Sequence, residues 1–228
     1  MVKYSINQLL DTLKEKNYKV FTKPYMLNIV GVRTTEQPNK FDDTMNVFWK
    51  DDNNKWVLKQ YPCTTDPGTY YLLKPMNKLG TAILKEGQYI DGWKKGLHKG
   101  KYTALRQAKN VVVYRDSDRN AIFDFNSRET TGMYGINIHK AGADSSEVKN
   151  WSAGCQVFKK SADFDEFMGL VKKQEEKYGN KFTYTLIDKV GNEVKKKKYR
   201  IGLYIGITAI VTLVSVYFAY VKLIKNKN

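Results

Sequence analysis

The chain has 228 residues but only two cysteines and two histidines. Cys63 and Cys155 can close at most one disulfide. No export signal precedes them, so both are expected to stay reduced. The N-terminus lacks the continuous apolar run of a secretory leader: Ile6, Leu9, Leu10 and Leu13 follow helical spacing instead. Ser5 and Gln8 have the spacing of a capping box opening that helix. There is no internal repeat and no long low-complexity tract, and the length holds one sizeable domain or two small ones. The segment from residue 195 to the end lacks acidic side chains altogether. Eight basic residues fall there, leaving +8 of the total +16 on residues 1–194. No nucleic-acid motif accompanies this charge, so nucleic acid is not the expected partner. Anionic lipid or an anionic wall polymer explains it equally well.

One long hydrophobic run is present. Residues 201–221 carry no charge over 21 positions, about 31 Å as a helix, the thickness of a bilayer core. Five basic residues precede it and three follow. The expected organisation is a domain over 1–190 with an N-terminal helix, a basic linker over 191–200, a transmembrane anchor over 201–221 and a basic tail over 222–228. By the positive-inside rule the domain lies on the cytoplasmic side of a single-pass, C-terminally anchored protein. Gly202 and Gly206 form a GxxxG pair that permits close helix pairing and a homodimer.

Before the anchor, short runs of strand character dominate. They occur at 28–34, at 46–50 and 55–61 (a hairpin across Asp51 to Asn54), and at 81–90, 102–107 and 110–115. The stretch "TTDPGTYYLL" reads as a Pro-Gly turn leading into an extended segment. "GINIH" alternates Ile136 and Ile138 against Asn137 and His139, as a strand with one wet face does. Ser161 is placed to cap a helix whose Phe164, Phe167, Met168 and Val171 share one face; Gly179 ends it, and "KFTYTLID" is a last strand. The fold class is mainly β (α+β), with one or two packed helices.

His139 and Cys155 are the pair that carries chemistry. A thiol becomes a strong nucleophile when an imidazole takes its proton. A His at a strand end and a Cys on a following turn suit that exchange. Ser152, Ala153 and Gly154 are small, so the backbone there can approach a substrate and offer N–H groups to a developing oxyanion. From spacing alone, a buried thiol and an ordinary polar histidine are the favoured reading.

The segment "GINIHKAGADSSEVKNWSAGCQVF" resembles the catalytic stretch of the L,D-transpeptidase family. That pattern is a His, some 14 to 17 intervening residues, then Ser/Thr-His-Gly-Cys, an aliphatic residue and often Arg. His139 stands for the upstream His, and Ser152, Gly154 and Cys155 match the nucleophile turn. Twelve residues intervene between His139 and Ser152. Ala153 replaces the motif His, which removes a second titrating group. "CQVF" lacks the trailing Arg, a basic anchor for a substrate carboxylate. The resemblance implies a β-sandwich catalytic domain and acyl transfer: Cys155 attacks a peptide carbonyl following a diamino acid in a peptidoglycan stem, and His139 accepts and returns the proton. It implies no metal and no cofactor. Missing export information beside wall chemistry points to a phage-encoded protein working at virion entry or host lysis. Two other readings compete, a wall- or partner-binding membrane protein without catalysis and a structural virion membrane protein.

Weaker signals surround the pair. Asn137 is one option for orienting His139, a backbone carbonyl another. His98 falls among Lys94, Lys95 and Lys99 as a groove-lining or solvated loop histidine, and Thr65 and Asp66 rim the same groove or simply form a turn. Asp116, Asp118, Asn120 and Asp124 occupy positions 1, 3, 5 and 9 of a calcium loop, without its Gly at 6 or Glu at 12.

Overall fold

The structure, a computed structural model, describes residues 2–34, 37–142 and 145–188. In chain order they form α1 (Ile6–Glu15), β1 (Asn28–Val32), β2 (Asp43–Lys50), β3 (Trp56–Thr64), α2 (Thr69–Leu73), β4 (Thr81–Leu84), β5 (Gly87–His98), β6 (Tyr102–Gln107), β7 (Val111–Asp116), β8 (Glu129–Gly132), β9 (Ile138–Lys140), β10 (Gln156–Phe158), α3 (Ser161–Tyr178) and β11 (Phe182–Ile187). Eight strands close into a barrel in the order β1-β11-β5-β6-β9-β10-β3-β2, and β4-β7-β8 make a separate three-stranded sheet.

The expected β-sandwich is therefore corrected to a mixed α/β fold, with a closed eight-stranded sheet and three helices among the described residues. Closure comes from β1, which pairs with β2 in antiparallel register and with β11 in parallel. The strand β11 thus inserts between β1 and β5 and closes the larger sheet on itself. The run at 81–90 splits between the two sheets, with β4 in one and β5 in the other. "TTDPGTYYLL" is not extended after its turn. Gly68 is the residue before a helical turn, and its carbonyl accepts the N–H of Tyr71 and Leu72.

Local physical chemistry builds the rest. Ser5 and Gln8 close the capping box at the start of α1, with Leu9, Thr12 and Leu13 buried. The β2–β3 hairpin turns at Asp51, whose carboxylate accepts the N–H of Asn53 and of Lys55, each at 2.9 Å. Ser161 is the first residue of α3, while Lys160 takes the cap position without a side-chain bond. Phe164, Phe167 and Val171 of α3 are buried, and Phe167 stacks on Phe158 at 5.0 Å. The core joins this aromatic cluster to Trp93 and Tyr184, whose rings meet edge-on at 5.2 Å.

At one end of the barrel lies a buried polar knot. Arg33, 3% exposed, donates from Nε to Asp66 Oδ2 at 3.1 Å, pairs through Nη2 with Asp66 Oδ1 at 2.8 Å, and reaches Glu86 at 2.5 Å. Asp43 accepts both the N–H and the hydroxyl of Thr65, each at 2.8 Å. Burial, and then the charge of Asp66, push the Asp43 carboxyl up to about 7. Thr65 and Asp66 therefore do not rim a groove: the arginine 33 positions upstream draws Asp66 inside.

Among the described residues, no helix is long and apolar enough to cross a membrane. The run at 201–221, with Gly202 and Gly206, lies outside the described residues, as do the basic linker and tail. The membrane-anchored reading is corrected to what the described residues show, which is no helix able to span a membrane. The single-pass localisation, the lipid partner, the helix-paired homodimer and the virion and lysis roles built on the anchor are not carried further.

Candidate functional site

Two short parallel strands present the site. β9 and β10 pair with Ile138 beside Gln156 and His139 beside Val157. One step earlier the Gln156 N–H still donates to the Asn137 carbonyl, at 2.9 Å. Side chains alternate across a strand. Ile136, Ile138 and Phe158 enter the main core, so Asn137, His139 and Val157 take the opposite face, where Cys155 packs beside Val157. The thiol and the imidazole thus sit on adjacent strands, diagonally across one face. Side chains so related lie roughly 7–8 Å apart by backbone position, within reach of long or aromatic groups.

Cys155 is half-buried. Its Sγ donates to the Gly135 carbonyl and accepts the Asn137 N–H, both at 3.4 Å. Burial pushes the thiol above its ordinary value, against the downward pull of the Asn137 N–H and the Lys99 charge. His139 is 4% exposed, so the face that alternation marks as wet is in fact covered. Its ring stacks on His98 with centroids 4.3 Å apart and planes inclined by 22°. Its Nδ1 meets the Lys140 carbonyl at 2.9 Å, with the Tyr102 hydroxyl at 3.5 Å. The carbonyl fixes the proton on Nδ1 and leaves Nε2 as the nitrogen able to accept another. Burial pushes His139 down to about 4; the Lys140 carbonyl opposes this, and His98 and Lys99 add to it.

His98 is not a solvated loop residue. It ends the twelve-residue β5, is 5% exposed, and accepts from Asn137 Nδ2 at 3.3 Å through Nδ1. Asn137 therefore orients His98, and a backbone carbonyl orients His139. The lysines disperse: Lys95 pairs with Glu175, and Lys94 lines a separate hollow with Asn180 and Lys181.

The nucleophile turn is held by Ser152, whose hydroxyl accepts the Gly154 N–H at 3.1 Å and donates to the Cys155 carbonyl at 2.8 Å. Gly154 N–H is thereby removed from the expected oxyanion donors. The Cys155 N–H makes no hydrogen bond among the described residues and remains available. Gly154 sits at φ +121°, and a Cβ there would lie 2.2 Å from the Ala82 carbonyl oxygen, so only glycine fits.

No family model, curated protein or solved structure matches the chain. Its chemistry rests on its own side chains. Among the described residues no hydrogen bond joins Cys155 to His139, and no carboxylate completes a Cys–His–acid triad. Each of the two side chains is instead bonded to backbone groups, Cys155 to Gly135 and Asn137 and His139 to Lys140. The acidic loop also resolves into turn bonds. Asp116 Oδ2 accepts the Asp124 N–H at 3.1 Å, Asp118 Oδ2 accepts from Asn120 at 2.7 Å, and Asp124 Oδ1 accepts the Asn126 N–H at 2.9 Å. No group of three or more His, Cys, Asp or Glu among the described residues is placed to hold a metal ion.

Sequence reading missed the residues that hold the thiol's surroundings. Gln107 Oε1 accepts the N–H of Tyr134 at 3.0 Å and of Ile136 at 2.9 Å. Trp93 Nε1 donates to the Ile136 carbonyl at 2.8 Å. Gln156, fully buried, bridges the Tyr184 hydroxyl at 2.7 Å to the carbonyls of Thr65 and Gly154. Polar side chains in strand-like runs carry no sequence mark of such work.

The two thiols differ enough to be told apart by reagent. Cys63 is wholly buried, with its thiol pushed well above the ordinary value by that burial. Iodoacetamide is expected to label Cys155 in the native protein and Cys63 only after unfolding, as read by peptide mass spectrometry. Equal labelling of both would contradict the packing described.

Proposed function

We propose that the protein is a cysteine acyl-transfer enzyme of the L,D-transpeptidase or peptidoglycan peptidase type, with Cys155 as nucleophile and His139 as base. The observation that carries this reading is a half-buried thiol sharing one face of a strand pair with a neutral imidazole whose Nδ1 is tied to a backbone carbonyl. In free enzymes such pairs are often loose and tighten when substrate displaces local partners. The sequence resemblance supplies the substrate class, a peptide carbonyl following a diamino acid.

The steps balance without a cofactor. Cys155 Sγ bonds to the carbonyl carbon as its proton passes to His139 Nε2, and the carbonyl π pair moves onto oxygen, toward the Cys155 N–H. Collapse breaks the C–N bond. The imidazolium returns its proton to the departing amine, leaving a thioester. An incoming amine or water then attacks, passes its proton to His139, and releases the thiol. With His139 pushed down and Cys155 pushed up, the resting pair is neutral, so proton transfer accompanies attack rather than preceding it.

The experiment is mass spectrometry of muropeptides incubated with the whole protein, which reports bond, acceptor and rate together. Unchanged muropeptides would remove the reading. The pH profile is a second check. An imidazole lowered in the folded protein stays neutral, and competent as a base, down to about pH 4. The acid limb of kcat/KM is therefore expected at a midpoint of about 4, because kcat/KM reports the free enzyme. A midpoint at the ordinary histidine value would show that His139 in this buried setting is not the base.

A further inference from the structure

Arg115 lies on β7, is 5% exposed, and makes no ion pair among the described residues. Arginine is rarely buried this far without a carboxylate, because its charge must be compensated. Here compensation is incomplete. Nε donates to Thr130 Oγ1 at 2.9 Å, Nη1 donates to the Gly80 carbonyl at 3.3 Å, and the guanidinium lies 4.3 Å from the centre of the Tyr134 ring. Nη2 has no hydrogen bond among the described residues.

This guanidinium lines a cavity of about 290 Å³ whose other walls include Tyr134, Met133, Met76 and Ala153. The cavity's lining includes chain neighbours of the residues around the thiol. Ala153 stands two residues before Cys155, and Tyr134 is next to Gly135, whose carbonyl accepts from Sγ. The strands make the same connection. Arg115 is the cross-strand partner of Ala82, whose carbonyl oxygen closes on Gly154 in the nucleophile turn.

We propose that this cavity binds the terminal carboxylate of a peptide substrate, with Arg115 as its anchor. This rests on the acyl-transfer reading and deepens it. Arg115 is the single charged side chain of the lining, so the site matches a monoanion in charge, and a planar carboxylate can take the fork of a guanidinium. Met76 and Met133, 80% and 56% exposed, give the mouth an apolar rim. That combination suits a C-terminal residue with a small aliphatic side chain. With its carboxylate on Arg115, the bond preceding that residue is the one presented to Cys155. The leaving group is then a free amino acid. Arg115 thus takes, from another strand, the role left open by the absence of an arginine after Cys155.

The test uses Nα-acetyl-lysyl-D-alanine and its C-terminal carboxamide, with binding to the Cys155→Ala protein followed by calorimetry so that no turnover intervenes. The acid is expected to bind about 10- to 100-fold more tightly than the amide, the usual range for a hydrogen bond to a charged group. Arg115→Gln is expected to erase the difference and Arg115→Lys to keep part of it. Because Arg115→Gln can cost stability, Met133→Glu serves as a second variant. It places a like charge at the cavity mouth, from an exposed position, and is expected to weaken the acid selectively. Equal binding of acid and amide overturns the proposal, as does unchanged preference in a folded Arg115→Gln protein. If the acid is preferred but the wild type never cleaves it, the cavity stands and the acyl-transfer reading falls. If both peptides bind equally yet are cleaved at Cys155, the enzyme stands and the anchor falls.

Discussion

Replacing Cys155 with alanine is expected to lower acyl transfer by ~10⁵-fold or more, in line with the loss of a nucleophile from a unit that acts together. The fold should be unaffected. Cys155 belongs to a small outer cluster with Val157, Ala141 and Val148 and is only half-buried, so removing its sulfur opens little interior space. His139→Ala should be nearly as damaging on its own and add little to Cys155→Ala, because the base has no second task once the nucleophile is gone. The measurement is the initial rate of muropeptide conversion, with circular dichroism as the folding control. Wild-type rates from the alanine variant would take Cys155 out of the chemistry altogether.

The second large effect concerns stability. Asp66→Ala is expected to destabilise the protein by about 3–5 kcal/mol, the range for breaking a buried ion pair by removing one partner. Arg33 would keep Glu86 and the Leu84 carbonyl, the latter at 3.0 Å, but lose its two contacts to the buried carboxylate. Asp66→Asn should cost less, since an amide oxygen still accepts from the guanidinium. Chemical denaturation of the two variants separates these outcomes. A cost below about 1 kcal/mol, together with altered substrate preference, would return Asp66 to the groove rim suggested by its sequence context.

What was legible in the sequence was local. The β2–β3 hairpin follows from two strand-like runs joined by four polar residues, and the capping box of α1 from Ser5 and Gln8. The alternation in "GINIH" assigns Ile136 and Ile138 to one face correctly. It says nothing about what covers the other face, and His98 and Tyr102 arrive there from β5 and β6. Barrel closure was not legible, because β1 and β11 are brought together from opposite ends of the described chain. The turn chemistry of Thr65 and Asp66 was visible, but the arginine that buries Asp66 was not. At the site, residue type and spacing single out Cys155 and His139. Beyond Ser152, their surroundings are held by Gln156 next to the thiol and by Gln107, Trp93 and Tyr102 from other strands. Nothing in a linear pattern marks such residues.

The ladder β1-β11-β5-β6-β9-β10-β3-β2 returns to its own first strand, but the short strands β9 and β10 close it through few residues: Leu105 of β6 pairs with β9, and Cys63 and Thr64 of β3 pair with β10. Edge-to-edge adhesion, the common route by which sheet proteins recruit one another, is therefore blocked where the ladder is continuous, along β1, β2 and β11. Among the described strands, the flanks of β4 and β8 and the flank of β3 before Cys63 stay open to such pairing.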